Sequence, residues 1–165
     1  MDAGDAIYAG FADAYVPEDA WADIKAKLIA DGDIEAIPDH PAPPSRLAGW
    51  QTEIDDIFSG ETLGDIYRAM PDDPGPASKH ARKLMDRNAP LAMSVATEII
   101  HRVRHGQRIE NALDQEFRYT YRCAAQGDFI EGIRAAIIDR ARKPAWKHAN
   151  WADVPGSEVL AMTLP

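Results

Sequence analysis

The sequence predicts an all-α protein of about seven helices. Apolar side chains recur three and four positions apart in several segments, which is the spacing of one face of a helix. Clusters of glycine and proline separate these segments. No alternation of polar and apolar residues is long enough to predict a strand.

The first predicted region covers residues 1–35. Small and apolar residues at helical spacing open it, and a helix is expected from Glu18 to Ala30, with Trp21, Ile24 and Leu28 on its apolar side. Gly32 is suited to a left-handed helix end. A linker is predicted at residues 36–46, because the four prolines of this stretch prevent regular structure.

The third predicted region, residues 47–165, carries the clearest helical patterns. A helix is expected over 47–58, and Thr62 can cap a second that reaches Met70. Helices are also expected over 77–87, from 90 to about 105, over 108–125 and from residue 129 onward. The residues of the last two that we expect to face a core are Ile109, Ala112, Leu113, Phe117, Thr120, Tyr121, Ala124, Phe129, Ile133, Ala136 and Ile137.

The composition excludes several classes of protein. The formal net charge of -9 argues against a general nucleic-acid binder, which needs positive charge to neutralise phosphates. No apolar run approaches the ~20 residues of a membrane-spanning helix. One cysteine, Cys123, permits no intrachain disulfide, and the acidic start lacks the features of a secretory signal. We therefore expect a cytoplasmic protein with no membrane or nucleic-acid partner.

Three motifs resemble the 3-hydroxyisobutyryl-CoA hydrolase family of the crotonase, or enoyl-CoA hydratase/isomerase, superfamily. Residues 127–139, GDFIEGIRAAIID, resemble its D-F-x-E-G-[VI]-R-A-x-[LI]-I-D block, and Pro144-Ala145-Trp146 resembles the P-x-W that follows. Residues 116–118, EFR, resemble E-[YF]-R. At the other end, residues 2–17 resemble the A-x-D-A-x-x-x-G-[LFI]-A-[DT]-x-[YF]-V-P stretch.

The resemblance implies that this chain is the C-terminal part of such an enzyme. The family's ββα core, with its oxyanion hole and acidic residues, has no counterpart in the sequence. The complete enzyme would hydrolyse a short branched 3-hydroxyacyl-CoA in valine breakdown, with acyl-CoA as substrate and no covalently bound cofactor. The chain alone is expected to have negligible activity, and the face that should meet the core is expected to pair with that core or with a second copy.

The resemblance also suggests where coenzyme A would bind. Its phosphates favour cations, and the candidates are Arg140, Arg142, Lys143 and Lys147. The competing explanation is that these cations only complement the dipole at the end of a helix.

Four further residues are structural candidates. We expect Glu116 and Arg118 to form an ion pair with a neighbouring helix, and Glu131 to cap a helix together with Asp128. Trp146, in an irregular tail, should pack against another element.

No metal site is expected. His101 and His105 share a helical face, but Arg102 stands where a metalloprotease motif needs glutamate.

Two alternative functions stay open. The first is a fragment of an enoyl-CoA hydratase or isomerase, whose C-terminal pattern differs from Pro144-Ala145-Trp146. The second is a stand-alone helical interaction module.

Overall fold

A computed structural model confirms the all-α fold. It describes residues 1–38, 40–104, 106, 108–140 and 142–165. Nine α-helices lie within these residues, together with short 3-10 turns and one π-helical turn, so the predicted seven were too few. The described residues contain no strand beyond one isolated bridge between Tyr15 and His40. His105, half of the histidine pair considered above, lies outside the described residues.

The chain divides into two units, Met1–Thr52 and Glu53–Pro165. The predicted division at residues 35 and 46 stays a prediction. The first unit holds α1 (Ala3–Tyr8), α2 (Trp21–Asp31) and the start of α3 (Arg46–Ile57). The predicted end of α2 is confirmed, since Gly32 adopts φ +65° there.

A buried carboxylate fixes α1 within the first unit. One oxygen of Asp5 accepts hydrogen bonds from the Ser45 hydroxyl at 3.0 Å and the Leu47 amide at 2.9 Å. These hydrogen bonds, led by the one from Leu47, hold the pKa of Asp5 below its usual value. Gly4 lies so close to the backbone of Pro43 that any larger residue would clash there. Residues 43–47, at the end of the proline-rich stretch, therefore pack against α1.

The second unit has two small cores. Ile57, at the end of α3, packs with Ile66 and Met70 of the segment around α4 (Leu63–Ala69), and α5 (Pro76–Met85) covers them. Glu53 holds the start of α5, because its carboxylate accepts hydrogen bonds from the amides of Ala77 and Ser78, each at 3.0 Å. Thr62 caps α4 as predicted, in a reciprocal pair with Asp65.

The larger core joins three helices. Leu91 and Val95 of α6 (Pro90–Val103) pack with Cys123 of α7 (Ile109–Gln126) and Met162, which follows α9 (Gly156–Ala161). All four are at most 5% exposed. Cys123 is thus a buried core thiol, in agreement with its place in a helical pattern.

The predicted inward face of α7 is wrong. Four large side chains that recur every fourth residue point outward instead. They are exposed at 68% for Ile109, 53% for Leu113, 70% for Phe117 and 75% for Tyr121. The helix buries its opposite side through Cys123, so its most apolar side has no covering element among the described residues. We call these four side chains the α7 stripe.

The next helix ends in an unusual way. The helix α8 (Phe129–Ile133) continues directly into the π-helical turn Arg134–Ile138. Phe129 and Ile137, which were expected to be buried, are 53% and 63% exposed, and Ile138 is 75% exposed. Since π-helical turns occur frequently at functional sites, this segment is a natural place to look for one. No helix of the described residues has the length and apolarity that crossing a bilayer requires.

Candidate functional site

Glu131 fixes the start of the C-terminal tail to α8. Its Oε1 accepts hydrogen bonds from Arg134 Nη2 at 2.6 Å and from the amide of Ala145 at 2.5 Å, while Oε2 accepts one from Arg134 Nε at 2.7 Å. The guanidinium of Arg134, together with that amide, lowers the pKa of Glu131 to about 2. Glu131 is therefore ionised and structural at neutral pH, and its predicted role as a helix cap is wrong.

A second carboxylate holds the tail two residues further on. Asp128 Oδ1 accepts a hydrogen bond from the amide of Lys147 at 2.7 Å, and its side chain makes no cap hydrogen bond to α8. Its Oδ2 is buried and has no hydrogen-bond partner among the described residues. The two carboxylates thus bind the amides of Ala145 and Lys147, which are two residues apart in one segment. We call Asp128, Glu131 and Arg134, together with residues 145–147, the tail clamp.

Trp146 lies between these two anchored amides. Its indole Nε1 donates a hydrogen bond to the carbonyl of Arg87 at 3.2 Å, and its ring faces Gly132 of α8. The ring is partly buried, which places this candidate in a packing role.

The four cationic candidates do not form one site. Lys147 is committed to the protein itself, because its ammonium contacts Glu158 at 2.5 Å and donates a hydrogen bond to the carbonyl of Gln126 at 3.1 Å. Arg142 lies 3.6 Å from Asp139 but is 80% exposed, so this ion pair contributes little. Within the described residues no ion pair engages the side chains of Arg140 and Lys143, and both are exposed. An incoming phosphate could reach these two cations without competing with an internal carboxylate of the described residues.

An apolar groove lies beside the π-helical turn that precedes these cations in the sequence. One cavity of about 320 Å³ lies between α6, α7, α8 and the π-helical turn, and a second of about 350 Å³ continues it between α6 and α7. Ala92 and Tyr119 belong to both, so the two form one groove. Its other apolar walls are Ala89, Ala96, Ile99, Ile100, Cys123, Phe129, Gly132, Ile133, Ala136, Ile137 and Trp146.

Glu116 and Arg118 are not brought together. Glu116 is exposed and borders the apolar groove, whereas Arg118 lines a separate cavity with Arg102 and Gln115. No ion pair of either side chain lies within the described residues, and the predicted structural ion pair stays a prediction. Positions 116 and 118 differ by about 200° around a helix, which explains why they face different surroundings.

Sequence reasoning missed two contacts of the site. Asp139 contacts Arg134 Nη1 at 3.1 Å, and Asp128 binds the tail amide. A π-helical turn between Arg134 and Asp139 gives no periodic signal in the sequence, so their contact could not be predicted from spacing. In the described part of the chain no three histidine, cysteine or acidic side chains are grouped as a metal site would require.

The comparison with known protein families decides the affiliation. The family model for enoyl-CoA hydratase/isomerase matches residues 1–163. The chain belongs to this family. The crotonase-superfamily resemblance of the sequence is thereby confirmed at the level of the superfamily.

Two curated proteins with similar sequences help to narrow the place of this chain within the enoyl-CoA hydratase/isomerase family. The mitochondrial 3-hydroxyisobutyryl-CoA hydrolase of Mus musculus is 28% identical over 109 residues, which is 65% of this chain and 28% of that protein. The 3-hydroxyisobutyryl-CoA hydrolase-like protein 5 of Arabidopsis thaliana is 26% identical over 170 residues, covering 91% of this chain and 43% of that one. The chain therefore spans less than half the length of these relatives.

Two crystal structures share the fold. An enoyl-CoA hydratase from Rhodobacter sphaeroides is 45% identical, with a TM-score of 0.92, and the match covers 100% of this chain and 48% of that one. A carnitinyl-CoA dehydratase from Mycobacterium thermoresistibile is 35% identical, with a TM-score of 0.88, over 98% of this chain and 47% of that one. The fold thus corresponds to about half of each of these longer chains.

Proposed function

We propose that this chain forms the helical region of a coenzyme A thioester hydrolase resembling 3-hydroxyisobutyryl-CoA hydrolase, and that it helps to cover the acyl-CoA cleft. The supporting observation is the outward-facing α7 stripe, which leaves four large apolar side chains more than half exposed on one side of a helix. Contiguous apolar patches of this kind mark binding surfaces. A family core packed on this stripe would bury it.

The exposed cations support the same placement. Arg140 and Lys143 follow the π-helical turn that lines the apolar groove, and no internal carboxylate engages them among the described residues. Acyl-CoA combines phosphates with a long, largely apolar arm. We infer that these two cations, and not Lys147, would contact its phosphates.

The identity of the reaction needs a discriminating test, because the relatives point to two chemistries. The motifs of residues 127–146 and the curated relatives favour a hydrolase. The 45% identity to an enoyl-CoA hydratase structure favours hydration of a carbon–carbon double bond. Neither reaction is expected of these 165 residues alone, because the family core that supplies the oxyanion donors is not among them. Removing even one such donor typically lowers the rate by ~10²- to 10³-fold.

The isolated chain should therefore release no thiol from 3-hydroxyisobutyryl-CoA above the uncatalysed background. A colorimetric thiol assay checks this, with buffer and heat-treated protein as controls. Turnover at the ~1–10³ s⁻¹ that is typical of enzymes would contradict the proposal.

Complementation tests the docking and the reaction together. In separate experiments the chain would be co-expressed with the part of the Mus musculus hydrolase and with the part of the Rhodobacter sphaeroides hydratase that it does not match. We expect a stable complex and thiol release from 3-hydroxyisobutyryl-CoA with the hydrolase part, whereas a complex formed only with the hydratase part, with loss of enoyl absorbance from crotonyl-CoA, would favour the hydratase. A chain that stays monomeric and does not bind the co-expressed polypeptide would instead support a stand-alone interaction module.

A matched pair of variants locates the contact. Phe117→Asp places a charge within the α7 stripe and should abolish the complex, because an unpaired charge in an apolar interface is strongly unfavourable. Leu164→Asp places the same charge at another exposed apolar residue, 54% exposed, and should leave the complex intact.

A further inference from the structure

A third cavity of the unit Glu53–Pro165 has a different chemical character from the apolar groove. It encloses about 220 Å³, and its walls combine aromatic rings and thioethers with an acidic group. We call it the aromatic pocket, and its characteristic side chains are Tyr67, Met85, Asp86, Met93, Trp146 and Trp151.

Two of its rings form one rigid wall. Tyr67 and Trp151 stack with 5.2 Å between ring centroids and 17° between planes. Trp151 lies in a 3-10 turn that Asn150 caps through a hydrogen bond to the amide of Ala152. Because the two rings lie against each other, only one of them can present a free face to the cavity, and this internal contact orders the wall before any ligand enters.

Trp146 supplies another wall with equal rigidity. Its hydrogen bond to the carbonyl of Arg87 and the tail clamp on both of its neighbours fix the ring. Because Trp146 also lines the apolar groove, this ring separates the two cavities.

The charge of the pocket favours cations. Asp86 lies at the end of α5, and no ion pair or hydrogen bond of its carboxylate lies within the described residues. Neither Lys nor Arg is among the described side chains that line the pocket. Burial raises the pKa of the Tyr67 hydroxyl, the negative charge of Asp86 raises it further, and the positive charge of Arg82, outside the pocket lining, partly offsets this rise.

We propose that the aromatic pocket binds a methylated ammonium group such as trimethylammonium. Aromatic rings attract a cation through their negative faces, and polarised N-methyl groups are at the same time apolar enough to leave water. A volume of about 220 Å³ is below the ~300–1,000 Å³ of common ligand sites, so it suits one compact head group. Asp86 would supply the opposite charge.

The test compares choline with its uncharged carbon analogue 3,3-dimethylbutanol, which has the same shape. The 165-residue chain would be titrated with each at constant ionic strength, and the indole N–H signals of Trp146 and Trp151 would be followed by NMR. We expect saturable shifts of both signals with choline and at least tenfold weaker binding of the analogue. Equal affinity for the two, or no saturable shift with choline, would overturn the proposal.

A matched pair of variants tests the charge. Asp86→Asn should weaken choline binding by about threefold to tenfold with unchanged thermal stability, because its carboxylate supports no internal contact of the described structure. Asp73→Asn, an exposed carboxylate outside the pocket, should bind choline as the unmodified chain does. Equal choline affinity of Asp86→Asn and the unmodified chain would contradict the assignment.

Two further ligands separate the sources of this chemistry. The first is a short peptide that carries trimethyl-lysine, which presents the same head group as choline. Tighter binding of this peptide would indicate a protein ligand, and tighter binding of choline would indicate a small-molecule ligand. Adenosine is flat and uncharged, and it tests simple stacking. If adenosine displaced choline and bound more tightly, the pocket would be a purine site and the proposal would fail.

Discussion

Replacing Leu91 by alanine should lower the free energy of unfolding by about 3 kcal/mol, within the ~2–5 kcal/mol that is typical of buried Leu→Ala changes. Leu91 is 1% exposed and lies at the centre of the core between α6, α7 and the C-terminal segment. Its removal leaves a cavity that neighbouring helices cannot fill. Urea unfolding followed by circular dichroism measures the loss.

Leu113→Ala is the matched control for this change. Leu113 is also in a helix but lies in the α7 stripe and is 53% exposed. The same substitution should therefore change the free energy of unfolding by no more than about 0.5–1 kcal/mol. If Leu113→Ala proved as destabilising as Leu91→Ala, the stripe would be buried within the chain and the docking proposal would lose its basis.

The second large effect is expected at the tail clamp. Glu131→Gln keeps the size of the side chain but removes the charge that accepts hydrogen bonds from Arg134 and Ala145. We expect the midpoint of thermal unfolding to fall by roughly 5 °C or more at pH 7, since hydrogen bonds to a charged group are the stronger kind. Glu110→Gln is the control, because its ion pair with Arg108 is 3.5 Å long and exposed. The same loss in both variants would contradict the clamp.

The pH dependence of this effect follows from the lowered pKa of Glu131. The folded value is about 2, against the usual 4.5, so the unfolded state binds the proton more readily than the folded state between these values. The stabilisation is therefore complete above pH 4.5 and is lost as the pH falls towards 2. Thermal unfolding of the original chain and of Glu131→Gln should differ most near neutral pH and converge near pH 2. A constant difference would show that the charge of Glu131 is not responsible.

The sequence predicted the helices more reliably than the directions in which they face. Helical spacing depends on local periodicity, and it correctly indicated α2, α6 and α7 along with the Gly32 and Thr62 ends. The buried side of α7 was assigned wrongly because an apolar stripe is the same signal whether the chain itself or another polypeptide covers it.

The candidate site shows the same limit at the level of single residues. Among the four cations, the sequence could not distinguish Lys147, which Glu158 engages from 11 positions away, from Lys143, which stays exposed. Partners in a folded chain are set by tertiary packing, which the spacing of charges does not encode. The resemblance to the crotonase superfamily correctly placed the chain in its family, but it could not supply these contacts.

The shared position of Trp146 has a thermodynamic consequence. One indole ring is a wall of both the apolar groove and the aromatic pocket, so a ligand in either cavity would contact the same side chain. Any change that one occupant makes in the affinity of the other would be matched by an equal factor in the reverse direction, as reciprocity of binding free energies requires. The fluorescence emission of Trp146 should therefore change when a ligand binds in either cavity, so this side chain can report binding on both sides of the C-terminal tail.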